Sequence, residues 1–220
     1  MRAALQRATR RPRLTAAALL GAAGVILLGQ GAWIQAKAVL AQILLERAFA
    51  ETLATGRDAK PWSWADTWPV ARVEAPRLGR SAIVLHGSSG QALAFGPGHV
   101  EGTPQPGKPG AAVFSAHRDT HFSFLRELRA GDELRVTRRD GVTLRFRVTD
   151  GSVVRFDASG LDPLAGLPRL VLSTCWPFDA KVPGPLRYLL EADLIADSAG
   201  TRAGLLIHED GNGPEPALKT

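Results

Sequence analysis

The amino-acid sequence predicts a mainly β fold, an eight-stranded closed barrel with few short helices, preceded by an N-terminal transmembrane helix. Three observations predict it. Short runs rich in Val, Leu, Ile and Phe follow one another from Trp68 onward, punctuated by Gly, Pro and Asp, a spacing that suits a barrel better than an α/β fold. In one run Leu144, Phe146 and Val148 alternate with Arg145, Arg147 and Thr149, the period of a strand with one buried and one wet face. Ahead of these runs, 23 residues from Leu14 to Ala36 carry no charge, enough to cross a hydrocarbon core at a helical rise of about 1.5 Å per residue.

The N-terminus reads as an address. Arg2, Arg7, Arg10, Arg11 and Arg13 precede the apolar run with no acid among them. By the positive-inside rule residues 1–13 are expected in the cytoplasm, 14–36 as a signal anchor closing near Trp33, and everything later outside. A cleaved signal peptide also begins with a positive region and an apolar one. The helical pattern that continues without a break into AQILLERAFAETLA favours an uncleaved anchor. Residues 37–67 form a juxtamembrane helix and a Trp/Pro-rich linker: Leu40, Ile43, Leu44 and Phe49 recur at helical spacing, and Gly56 and Pro61 end the helix. Trp62, Trp64 and Trp68 then stand close together, as a strap packing indoles on the domain edge or as a surface contact.

The expected strands are VARVEAP, SAIVLHG, ALAFGPG, AAVFSAH, DELRVTR, VTLRFRVTD, SVVRF, RLVLSTC and RYLLEADL. Arg139–Asp140–Gly141 between two of them is a tight hairpin signal. A helix is expected at Thr120–Leu128 and a turn at Asp162–Leu167. The β domain is expected to span 68–208, and 209–220 to form a polar tail.

The net charge is +6, which first suggests a nucleic-acid partner. Five of those charges are the arginines before residue 14, so the domain itself is nearly neutral and no nucleic acid is expected as partner. There is one cysteine, hence no intramolecular disulfide and no cysteine-rich metal site. A lone cysteine is by default a small buried hydrophobe. In an exported domain, however, a free thiol risks mispairing between chains, which favours a role for it.

Cys175 closes the run Arg169–Cys175, and Pro177 forces the chain out of the sheet. A thiolate is the reactive form and needs a base or cation nearby. His117 closes the apolar run Ala111–Ala116, so thiol and imidazole meet if the two strands are neighbours. Arg187 opens the next strand, where a guanidinium suits an oxyanion or a substrate carbonyl. His121 could lie beside His117, and Asp119 could orient that imidazole or cap the following helix. His86 and His99 lie in glycine-rich loops, His208 in the tail, and Arg118 reads as a surface or rim residue. GPGHVEGTPQPGKPG is a loop and no phosphate cradle, since no Gly-Lys-Ser/Thr follows.

Leu172–Cys175, LSTC, resembles the signature in which sortases end a barrel strand on Thr-Cys. Ala116–Leu125, AHRDTHFSFL, resembles the sortase histidine segment, and Leu186–Leu190, LRYLL, the strand carrying the family's arginine. All three stand in the family's order over residues 68–196. CWPFDAKVPGPLRYLL and LAFGPGHVEGTPQPGKPG are most similar to the sortases of Gram-negative bacteria, also called class GN or marine proteobacterial. Val171 stands where many sortases have Thr, and Ala116 where Gly is common.

The resemblance implies a membrane-anchored cysteine transpeptidase in the inner membrane with its domain in the periplasm. It would cleave an LPxTG-like sorting signal of a secreted protein through a Cys175 thioester, and pass the acyl group to an amine acceptor that the sequence does not name. His117 would be acid and base and Arg187 the oxyanion or carbonyl holder. Thr174, Asp119 and His121 would contact substrate. No metal or cofactor is implied. Another thiol peptidase or transpeptidase, and a non-enzymatic tethered β module, are the alternatives. A Ser-x-Gly-Cys segment, the mark of L,D-transpeptidases, is lacking, and the papain-like order of Cys before His is reversed.

Overall fold

The computed structural model describes residues 2–195, with side chains from Leu19 onward. His208, the tail 209–220 and the arginine side chains of residues 1–13 lie outside the described residues. The chain divides into two compact units, one running to Leu44 and the other beginning at Leu45.

Helix α1, Arg2–Thr55, accounts for the described residues of the first unit and continues into the second. In that unit Leu19, Leu20, Val25, Ile26, Leu27 and Leu28 are 60–76% exposed. A helix this long, with such apolar side chains uncovered, meets the length and composition of a membrane span. Lys37 lies 5.7 Å over the Trp33 ring.

The end of α1 belongs to the second unit. Leu45 and Phe49 are fully buried against Ile83, Leu85 and Ala92, Arg72 stacks 5.5 Å over Phe49, and the same arginine pairs with Glu46. Of the residues whose helical spacing reads as a stalk, Phe49 packs on the barrel, joined by Leu45, whereas Leu40 and Ile43 are exposed. Gly56 ends the helix as expected: with φ of 69° it takes the left-handed conformation that closes a helix, and its N–H reaches the Thr52 carbonyl at 2.8 Å. Of the three indoles, Trp62 packs edge-on to Phe95 at 4.9 Å and Trp68 stacks on His86 at 4.1 Å, whereas Trp64 is exposed.

Eight strands close the barrel: β1 (Pro69–Ala75), β2 (Arg80–His86), β3 (Gly98–His99), β4 (Ala111–Ser115), β5 (Glu133–Arg138), β6 (Thr143–Arg155), β7 (Arg169–Cys175) and β8 (Leu186–Leu194). Their order around the barrel is β1-β2-β3-β4-β7-β8-β6-β5. Alternation sends Phe114, Leu134, Val136, Phe146, Val148, Leu170, Leu172 and Leu190 into one interior core. The Asp140–Gly141 hairpin is present: Arg138 N–H bonds the Val142 carbonyl at 2.9 Å, and Asp140 Oδ1 accepts from Val142 N–H at 3.2 Å.

Three local expectations are corrected. ALAFGPG is a short helix α2, Gly90–Leu93, followed by the two-residue β3, because Ser89 caps the turn by accepting the Ala92 N–H. VTLRFRVTD and SVVRF are one strand, β6, whose register shifts between Val148 and Asp150 as it passes along β8. In place of a helix at Thr120–Leu128 there is only a 3-10 turn at Ser123–Glu127.

Candidate active site

Strand parity builds the site. β4 and β7 run parallel, with Ser115 opposite Ser173. The pairing continues past the strand ends, since Ala116 N–H donates to the Ser173 carbonyl at 3.1 Å. His117 and Cys175 each lie two residues beyond that pair, at the same end of the two neighbouring strands. On the other flank β8 is antiparallel to β7, and Cys175 is the direct cross-strand partner of Arg187. The three candidate residues come from three consecutive strands of the barrel.

Cys175 is half-buried and His117 exposed. Among the described residues no hydrogen bond joins thiol, imidazole and guanidinium to one another. Arg187 is held from behind: its Nη1 donates to the carbonyls of Gly184 and Leu186, both at 2.9 Å, and its guanidinium carbon lies 5.5 Å over the Phe156 ring. The peptide bond Trp176–Pro177 is cis.

Arg187 lines a groove of about 300 Å³ together with Val113, Ser115, Ser173 and Leu189 from the neighbouring strands. Val154 of β6 lines it too, and Phe156, Leu161 and Pro163 from the stretch between β6 and β7 complete the lining. Val171 is fully buried beneath the same face. The stretch with Pro163 is fixed through Gly110. Its N–H bonds the Gly166 carbonyl at 3.0 Å, and the next residue bonds the Pro163 carbonyl at 2.8 Å. A Cβ at Gly110 would lie 2.4 Å from the Pro163 oxygen at a φ of +94°, so only glycine permits this approach. The groove is a mostly apolar slot with a few polar groups, the usual form of a ligand-binding cleft.

Thr174 corrects an expectation. Parity turns it to the barrel interior, where it is 1% exposed and its hydroxyl donates to the Ala116 carbonyl at 2.7 Å. It is a tie between the ends of β4 and β7, with no surface to offer a substrate. Thr174→Val keeps the shape and strands that carbonyl, so it is expected to destabilise by about 1–3 kcal/mol. Thermal unfolding reads this; an unchanged midpoint would refute the tie.

Asp119 is exposed and makes no hydrogen bond or ion pair among the described residues, and the 3-10 turn after it has no side-chain cap, so the capping alternative is not realised. His121 is brought back beside His117 by a turn in which Phe122 N–H reaches the His117 carbonyl at 3.2 Å. Burial first, then the neighbouring His117, hold the His121 imidazole below its ordinary 6.5. The unfolded chain therefore takes up this proton before the folded one does. The contribution is intact above about pH 6.5 and is lost as pH falls toward the folded-state value. His121→Gln is expected to shrink the drop in urea midpoint between about pH 7.5 and about pH 5.5. An equal drop in both proteins would remove His121 from the linkage.

His86 and His99 sit on strand ends, not in loops. His99 Nε2 lies 3.0 Å from the Pro104 carbonyl and 3.1 Å from Thr103 Oγ1; His86 serves the Trp68 stack. Ser115, Ser173 and Phe156 line the groove and were not singled out in the sequence. The signal for the two serines was available, because each stands two residues before a candidate residue on its strand. Arg118 is half-buried and bonds across to the loop after Cys175.

The model of the sortase domain family matches residues 73–195. Sortase D of Bacillus subtilis strain 168 is 29% identical over 119 residues, covering 54% of this chain and 60% of the relative. The chain thus matches less than two thirds of that protein's length. Among solved structures, sortase C-1 from Actinomyces oris superposes with a TM-score of 0.53 at 30% identity, over 59% of this chain and 75% of that one. A sortase D5 transpeptidase from Clostridium perfringens gives a TM-score of 0.56 at 21% identity, over 72% of this chain and 99% of that one; at that identity the likeness is one of fold.

Proposed function

This chain belongs to the sortase family of cysteine transpeptidases, and from that premise we propose that it moves a secreted protein's C-terminal acyl group onto an amine through Cys175. The observation that supports the reading is the pairing of Cys175 with Arg187 across β7 and β8, with Arg187 lining an apolar groove and β4, which leads into His117, parallel to β7. The thiolate of Cys175 attacks the carbonyl carbon of the Thr in an LPxTG-like signal. The C–N bond breaks, His117 supplies the proton that leaves with the amine, and a thioester remains. An incoming amine then attacks the thioester, gives its proton to His117, and the thiolate departs. Arg187 holds the carbonyl oxygen as it gains charge. The groove's Val113, Leu189, Val154 and Phe156 suit an apolar residue followed by proline. Asp119 and His121, in the turn after His117, contact the substrate.

The anchor reading assigns residues 1–13 to the cytoplasmic face, 14–36 to the membrane and the barrel to the periplasm. The arginines and the uncovered leucines of α1 support it. The Gram-negative subclass rests on the segments around Cys175 and ahead of His117. The neighbouring gene is expected to encode a secreted protein ending in an LPxTG-like motif, an apolar span and a basic tail. The test incubates the full chain in detergent with an LPxTG-like peptide and an amine, and follows the joined product by mass. Hydrolysis and transfer both absent would sink the reading. In spheroplasts, added protease should digest the barrel; a soluble periplasmic domain cut near residue 32 would overturn the anchor.

A further inference from the structure

The segment after His117 and the loop after Cys175 are tied together by side chains that the proposed reaction does not use. Arg118 follows His117 directly. Its Nη2 donates to the Ala180 carbonyl and, at 3.0 Å, to the Val182 carbonyl. Its Nη1 is buried with no partner among the described residues. Arg126, on the 3-10 turn, places Nη1 2.9 Å from Asp179 Oδ1 and its guanidinium carbon 4.9 Å over the Phe178 ring. Phe178 in turn packs on Trp176 at 5.5 Å and on Tyr188 at 5.4 Å. Those two residues are the immediate chain neighbours of Cys175 and Arg187.

The two arginines are not equal tethers. Asp179 is 89% exposed in its pair with Arg126, and exposed ion pairs hold little. The Arg118 bonds run from a half-buried cation to two main-chain carbonyls, the charge-assisted kind that is shorter and stronger. Where the chain leaves β7 decides where the thiol points, and Arg118 decides where that loop lies.

We propose that Arg118 is a positioning residue: it clamps the loop that follows Cys175 onto the turn that carries His117, and so sets the approach of thiol to imidazole. The proposal rests on the reading of Cys175 and His117 as nucleophile and base, and Arg118 touches neither reacting atom. Both bonds come from one terminal nitrogen, so a lysine ammonium, with its three donors, can restore part of the clamp.

The test compares the full chain in detergent as wild type, Arg118→Ala and Arg118→Lys. It reads the rate of Cys175 alkylation by iodoacetamide from about pH 5 to about pH 9, and kcat and KM on an LPxTG-like peptide. A displaced thiol is expected to lower kcat about 10- to 100-fold with little change in KM. The alkylation profile should move toward that of a thiol without an imidazole beside it, and lysine should recover part of both. Wild-type kcat and an unmoved profile in Arg118→Ala, even with a lower melting point, would overturn the clamp. If the wild type does not turn over the peptide, the transpeptidase reading fails, and the alkylation profile alone still decides on Arg118. Should Arg118→Ala not fold, Arg118→Gln, which keeps the stem and an amide donor, is read in the same way.

Discussion

Replacing Cys175 by alanine is expected to abolish both the thioester and acyl transfer while leaving the barrel folded. The thiol is the one group in the site able to form the proposed covalent intermediate, and no neighbouring hydroxyl can take its place: Ser173 lies two residues back in the groove, and Thr174 is turned into the core. Loss of a nucleophile is expected to lower turnover by on the order of 10⁴-fold or more. The fold should hardly notice. Cys175 is half-buried at a strand end and makes no side-chain hydrogen bond among the described residues, so truncation should change stability by about 1 kcal/mol or less. The check is mass spectrometry of the acyl-enzyme alongside thermal unfolding. An alanine variant that still cleaves the peptide would end the mechanism. A large drop in melting point, with a wild-type thiol that iodoacetamide does not label, would make Cys175 a structural cysteine.

The second large effect separates His117 from Arg187, because an imidazole exchanges protons near neutral pH and a guanidinium does not. His117→Ala is expected to lower kcat/KM about 10²–10⁴-fold and to flatten one limb of its pH profile. Arg187→Lys keeps the charge but loses the planar fork that lets one edge bond Gly184 and Leu186 while the rest faces the groove. Activity should fall steeply with the profile's shape retained. The measurement is kcat/KM against pH for both variants. Near-wild-type activity in Arg187→Lys would reduce Arg187 to a general positive charge. The same result in His117→Ala would pass the proton to His121, its neighbour across the turn.

Much of this molecule is decided within a few residues of chain, and that part the sequence determined by itself. Alternation at Leu144, Phe146 and Val148 committed a strand with one buried face, Asp140–Gly141 a hairpin, and Gly56 the end of a helix. The barrel class followed from the number and spacing of such runs. The sequence also put His, Cys and Arg at strand ends, where a side chain can leave the sheet. What it could not contain is pairing across long stretches of chain. The parallel register of β4 with β7 spans nearly sixty residues, and that register brings the strand end before residue 117 level with the strand end that carries residue 175. The same register turned Thr174 inward, because one step along a strand exchanges its faces. Local pattern likewise left open that the end of α1 would dock on β2 and that Arg118 would reach the loop after Cys175. Those contacts are chosen by which surfaces the closed barrel leaves uncovered, and only the tertiary structure supplies them.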